Sequence, residues 1–159
     1  MLKTGYKLIQ QGNPNWEKIC REDGISEKCI NYLSIYDITE TKEENIRKKQ
    51  KNFRNELLKI WDYKCAITGV DESECDACHI LPIESGGTYN SYNGILLSKS
   101  LHSSFDKGLW TISSKNNKII KISNKNLTID KYVGQTINLP AEMLDYLNWH
   151  NKFCLEKIE

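Results

Sequence analysis

The sequence predicts an α+β fold: a helical N-terminal lobe, a small strand–strand–helix core, a β-hairpin and a C-terminal helix. Three observations predict it. Two short apolar runs, 78–83 and 94–98, have strand length and are separated by a loop marked by Gly86, Gly87 and Asn90. A helix-length segment, 100–107, follows the second run and is stopped by Gly108. Segments of helical periodicity flank this core on both sides. A chain of 159 residues suits one domain, or one domain with a small appended lobe.

In the lobe, Trp16, Ile19 and Cys20 follow Pro14 at helical spacing, and Gly24 ends that helix. Ser26 caps a second helix with Cys29, Ile30 and Leu33 on one face. Residues 41–61 read as a separate long helix, with Thr41 as N-cap and Glu44 completing a capping box. Phe53, Leu57, Ile60 and Trp61 give it an apolar face. Its middle is basic: Arg47, Lys48, Lys49, Lys51 and Arg54. Such a run is either a solvated face or a phosphate-contacting surface. After Gly108, residues 109–113 and 119–123 form a hairpin around Asn116 and Asn117. Its lysines, Lys115 and Lys118 among them, either deter edge pairing or meet a nucleic-acid backbone. Residues 141–157 make the last helix, with Leu144, Leu147, Phe153 and Leu155 on the buried face. The domain boundary falls between 1–46 and 47–159.

Composition excludes several classes. The charge is nearly balanced, 22 Lys+Arg against 21 Asp+Glu, so any polyanion partner must be met by local patches. No run approaches the ~20 apolar residues of a membrane span. The first eleven residues lack the apolar core of a signal peptide, so a soluble, cytoplasmic protein with reduced thiols is expected.

The chemistry-bearing residues are few. There are three histidines, and two of them, His79 and His102, fall at short spacings from Asn93 and Asp106. His102 and Asp106, four apart on a helix, share a face and can converge on one cation. A neutral imidazole can deprotonate water near physiological pH. A divalent metal held by an imidazole and a carboxylate can clamp a phosphate. An Asn carbonyl accepting the imidazole N–H would fix its tautomer.

The motifs Cys65-Ala66-Ile67-Thr68-Gly69, Ala77-Cys78-His79-Ile80-Leu81-Pro82, Asn93-Gly94-Ile95-Leu96-Leu97, Leu101-His102-Ser103-Ser104-Phe105-Asp106-Lys107-Gly108-Leu109 and Leu147-Asn148-Trp149-His150 occur in order. Together with the basic 50–54 stretch, they resemble the HNH endonuclease family, in the branch found in restriction endonucleases. The resemblance covers about 47–155 and implies a ββα-metal (HNH) core. It implies His79 as general base, Asn93 as its orienting partner, and His102 as a ligand of Mg2+, with Mn2+ able to substitute. It places Asp106 as a second ligand. Where relatives carry Asp or His as a further ligand, this chain has Cys78, a poor match for a hard ion. Asp76 could reach the metal if its strand is bulged. Relatives use two Cys-x-x-Cys pairs to bind zinc. Here Thr68, Ser98 and Leu101 replace three of those cysteines, so no structural zinc is expected.

The resemblance further implies double-stranded DNA as partner, contacted by Lys48, Lys49, Lys51, Arg54, Lys115 and Lys118. It implies a homodimeric type II restriction endonuclease. Alternatives remain at this point: a nicking or phage-defence HNH nuclease, or a non-catalytic DNA-binding module. A zinc module built on Cys65, Cys75, Cys78 and His79 is another. Cys75 to His79 also fits the Cys-x-x-Cys-His haem pattern, which belongs outside the cytosol.

Overall fold

A computed structural model describes residues 2–157. It is an α+β arrangement in two compact units, residues 1–48 and 49–159. The first unit contains α1 (Leu2–Gln10), α2 (Trp16–Glu22) and the start of α3 (Glu27–Ile60). Ile9, Trp16, Cys20, Ile25, Ile30 and Leu33 form its core. Ser26 Oγ accepts the Cys29 N–H at the start of α3.

The helix expected to begin at Thr41 does not begin there. Residues 27–60 are one helix, and Thr41 lies inside it. The capping-box letters are present, but a cap needs a chain break. No Gly or Pro occurs between 27 and 60 to make one. Thr39 folds its hydroxyl back onto the Ile35 carbonyl at 2.9 Å, a bond compatible with continuing helix.

In the second unit, β1 (Cys75–His79) pairs antiparallel with β2 (Gly94–Ser98). The helix α4 (Lys99–Asp106) follows directly and stops at Gly108, whose φ of +69° favours glycine. β3 (Trp110–Ile112) and β4 (Ile119–Lys121) make the hairpin, and α5 (Leu144–Glu156) closes the chain. One continuous core joins Cys78, Ile80, Leu96, Leu97, Leu101, Phe105, Trp110, Ile112 and Leu147.

The first strand and the face of the last helix differ from expectation. The first strand starts at Cys75 and ends at His79, and residues 83–85 form a 3-10 turn after Pro82. Proline has no N–H for a ladder, so the strand ends before it. On α5, Leu155 is exposed, whereas His150 and Cys154 are buried beside Leu147. All six cysteines are free thiols. Among the described residues, no helix is long and apolar enough to cross a membrane.

Candidate active site

Strand alternation divides the labour of β1. Its pairing with β2 runs residue for residue from Cys75 opposite Ser98 to His79 opposite Gly94, with no bulge. Asp76 and Cys78 point toward α4. Cys75 points the other way, its thiol reaching the Val70 and Asp71 carbonyls. Cys75 and Cys78 therefore share no centre, which removes both the zinc and the haem readings of that segment. Cys65 likewise accepts N–H groups from Thr68 and Ser98 at 3.4 Å.

On the α4 side, His102 stands between two carboxylates. Its Nδ1 is 2.9 Å from Asp76 Oδ2, and its Nε2 is 3.0 Å from Asp106 Oδ2. The bond to Asp106, reinforced by Asp76 and opposed by burial, raises the His102 pKa to about 9. Cys78 Sγ lies 3.6 Å from Asp106 Oδ1. Burial, then the Asp106 carboxylate, pushes the Cys78 thiol well above its ordinary pKa and keeps it neutral. The ligand atoms of Cys78, His102 and Asp106 fall within 4.8 Å of one another.

Asp76 thus reaches the site without a bulge, because two-residue periodicity places it on the same strand face as Cys78. It meets the imidazole nitrogen opposite to Asp106, so it does not join Asp106 on one ion in this arrangement.

On the other side, His79 is set by aromatic rings. It stacks on Phe53 of α3, with centroids 4.1 Å apart and planes 4° apart. Tyr89 meets it edge to face at 5.3 Å. Gly94, opposite His79 in the ladder, makes room for this. A Cβ there would strike Phe53 and Leu57. His79 Nε2 is buried without a hydrogen-bond partner, which leaves Nδ1 as the available nitrogen. Burial holds the His79 pKa below the ordinary 6.5, against the opposing pull of Glu84 and Asp106.

The expected bond from Asn93 to the imidazole is absent. Asn93 is fully buried, and its amide serves backbone instead. Its Oδ1 accepts from Leu81 N at 2.8 Å, and its Nδ2 donates to the Leu81 and Thr88 carbonyls at 2.9 Å. Those groups lie in a loop that has no ladder partner, so a buried amide is their means of satisfaction. Asn93 holds the loop that carries Tyr89, and so acts on His79 at one remove. Phe53 was legible only as a core residue of a helix, and Tyr89 gave no signal in the sequence.

The basic residues separate into kinds. Lys48, Lys49 and Lys51 are exposed on α3, and Lys115 and Lys118 are exposed at the hairpin turn. Lys48 pairs with Glu44 at 3.4 Å. Lys49 Nζ lies 6.0 Å from the Tyr89 ring, next to His79. Arg54 is not free for phosphate. Its guanidinium donates to the Cys75 carbonyl at 2.8 Å and the Glu72 carbonyl at 3.0 Å, tying α3 to the start of β1.

No curated protein matches the chain. Residues 65–113 match the family model described as HNH endonuclease. The matched stretch holds Asp76, Cys78, His79, Asn93, His102 and Asp106. The stretch that carries the site is therefore similar to the HNH endonuclease family.

Proposed function

We propose that the chain is a divalent-metal-dependent DNA endonuclease of the type II restriction kind, acting as a homodimer. The observation that carries the hydrolytic reading is the pairing of an uncharged, half-buried His79 with an imidazole–carboxylate cluster within one family-matched segment. The restriction role and the dimer rest on resemblance alone.

The donor set fits a hard divalent cation: an imidazole and a carboxylate on one helix face, beside a thiol too neutral to compete. His102 Nε2 and Asp106 would hold the ion. Asp76 would keep the His102 proton on Nδ1, as carboxylates commonly do behind metal-bound histidines. When bound, the cation supplies positive charge to the scissile phosphate and its leaving oxygen.

His79 accepts a proton from the attacking water. The neutral ring must then carry its own proton on the buried Nε2 and present Nδ1. The water oxygen bonds to phosphorus as the bond to the leaving oxygen breaks. Phe53 and Tyr89 keep the ring in one plane, and Lys49 is the basic residue beside them.

The test is digestion of a mixed-sequence plasmid with Mg2+ or Mn2+, using wild type and His79→Ala. Discrete, mappable fragments from wild type support a restriction role. Nicked circles or a smear support an HNH nuclease of another role. Equal cleavage by His79→Ala would remove His79 as the base.

A further inference from the structure

The second unit contains a buried polar string that the proposed reaction does not use. His150 of α5 and Thr111 of β3 are each 2% exposed. Asn151 Nδ2 donates to Thr111 Oγ1 and to the Ile112 carbonyl, both at 2.9 Å. His150 Nε2 lies 3.0 Å from the Phe105 carbonyl, which can only accept, so the ring proton resides on Nε2. Nδ1 of the neutral ring is then an acceptor and takes the Thr111 hydroxyl proton at 2.8 Å. The ring also lies flat on Phe105, with centroids 3.7 Å apart and planes 5° apart. Burial pushes the His150 pKa down to about 4, which keeps the ring neutral.

The target of this string is specific. Phe105 lies in the last turn of α4, and its carbonyl accepts the Gly108 N–H at 3.0 Å as well as the His150 N–H. The next residue is Asp106. Leu101, Ser104 and Phe105 form the buried side of α4, while His102 and Asp106 stand on the neighbouring side. Trp110 Nε1 holds that buried side a second time, through Ser104 Oγ at 2.8 Å. Well-packed apolar residues could fill the same volume at little net cost in stability. They would not fix the rotation of the last helical turn, and a satisfied polar string does.

We propose that His150 is a positioning residue for the cation site. It acts through the Phe105 backbone to place Asp106 against His102, with Thr111 and Asn151 holding the other side of its ring. The kinetic part of this inference rests on the nuclease reading, whereas the binding part requires only the cation site.

The test is Mn2+ titration calorimetry on the full chain, with cleavage kinetics alongside, for wild type, His150→Phe, His150→Gln and Thr111→Val. His150→Phe keeps the stacking ring and loses both hydrogen bonds. His150→Gln restores a donor near the Nε2 position. Loss of such an outer partner is expected to weaken Mn2+ binding and lower kcat by about 10-fold or more, with KM for DNA unchanged. His150→Gln is expected to stay near wild type, and Thr111→Val to fall between. Circular dichroism and a cooperative melt establish that each variant is folded. Should His150→Phe not fold, weakened Mn2+ binding in Thr111→Val beside retained binding in His150→Gln supports the proposal. Wild-type affinity and kcat in folded His150→Phe, or in Thr111→Val where that variant fails to fold, would overturn it. A wild type that binds no Mn2+ would overturn it as well. A wild type that binds Mn2+ but cuts no DNA would sink the nuclease reading, and Mn2+ affinity would then decide the positioning role.

Discussion

The two histidines of the site sit on either side of one short strand, in opposite surroundings. His79 is enclosed by Phe53 and Tyr89, and its pKa falls below 6.5. His102 is enclosed by Asp76 and Asp106, and its pKa rises to about 9. The same side chain is thereby made into two different reagents. Rings remove water and offer no counter-charge, so the proton leaves. Carboxylates stabilise the imidazolium, so the proton stays until a cation displaces it. The period-2 alternation of β1 keeps these environments apart although Asp76 and His79 are only three residues apart in the chain.

The comparison breaks first at Asp106. Asp106→Ala removes a proposed ligand and is expected to lower Mn2+ affinity and cleavage by about 100-fold or more. Asp76→Ala removes only the outer partner of His102, and about 10- to 100-fold is expected. The reverse ranking in calorimetry would make Asp76 the ligand and Asp106 the orienting group.

Acidity should separate the two sides next. His102 is raised above its unfolded value. Its contribution to the stability of the metal-free protein is therefore complete below about pH 6.5 and lost as pH rises through about 9. At the proposed site Mn2+ would displace that proton, so Mn2+ affinity is expected to rise with pH across the same window. Thermal melts and calorimetry between pH 6 and 10 measure both, and His102→Gln should flatten both. His79 has the opposite sign. At saturating metal, the acid limb of the cleavage profile falls below pH 6.5, because His79 must be unprotonated to act as base.

A smaller effect is expected on the aromatic side. Phe53→Leu keeps an apolar group but loses the flat stack, at about 1 kcal/mol of stability by denaturant titration. With less cover, the His79 pKa returns toward 6.5, so the acid limb moves to higher pH. The smallest expected effect is at the basic residues. Lys49→Ala should reduce the slope of log K against log salt by about 0.9, the share of one phosphate contact. Arg54→Ala should lower stability and leave the slope unchanged, because its guanidinium is bound to the Cys75 and Glu72 carbonyls.

Much of the core was legible in the sequence because its signals are local. Gly94–Ser98 reads as a strand from its apolar run, α4 from its stop at Gly108, and the hairpin from Asn116 and Asn117. The adjacency of His102 and Asp106 follows from helical spacing alone. What escaped depends on contacts distant in sequence. Asn93 could not be seen to hold Leu81 and Thr88, because loop carbonyls carry no sequence signature. Arg54 looked like its lysine neighbours until its carbonyl partners, 18 and 21 residues away, were placed. Asp76 needs no bulge to reach the site, because strand periodicity sets it on the face of Cys78. At Thr41 the capping pattern starts no helix, because the chain break that a cap requires is missing.

The division of labour between the two histidines is tested most directly by measuring Mn2+ binding and DNA cleavage together in His79→Ala and His102→Ala. His79→Ala should bind Mn2+ as tightly as wild type while cleavage falls by about 10²- to 10⁴-fold, the usual worth of a general base. His102→Ala should lose Mn2+ binding and cleavage in step. Weakened Mn2+ binding in His79→Ala, or unchanged binding in His102→Ala, would contradict the account.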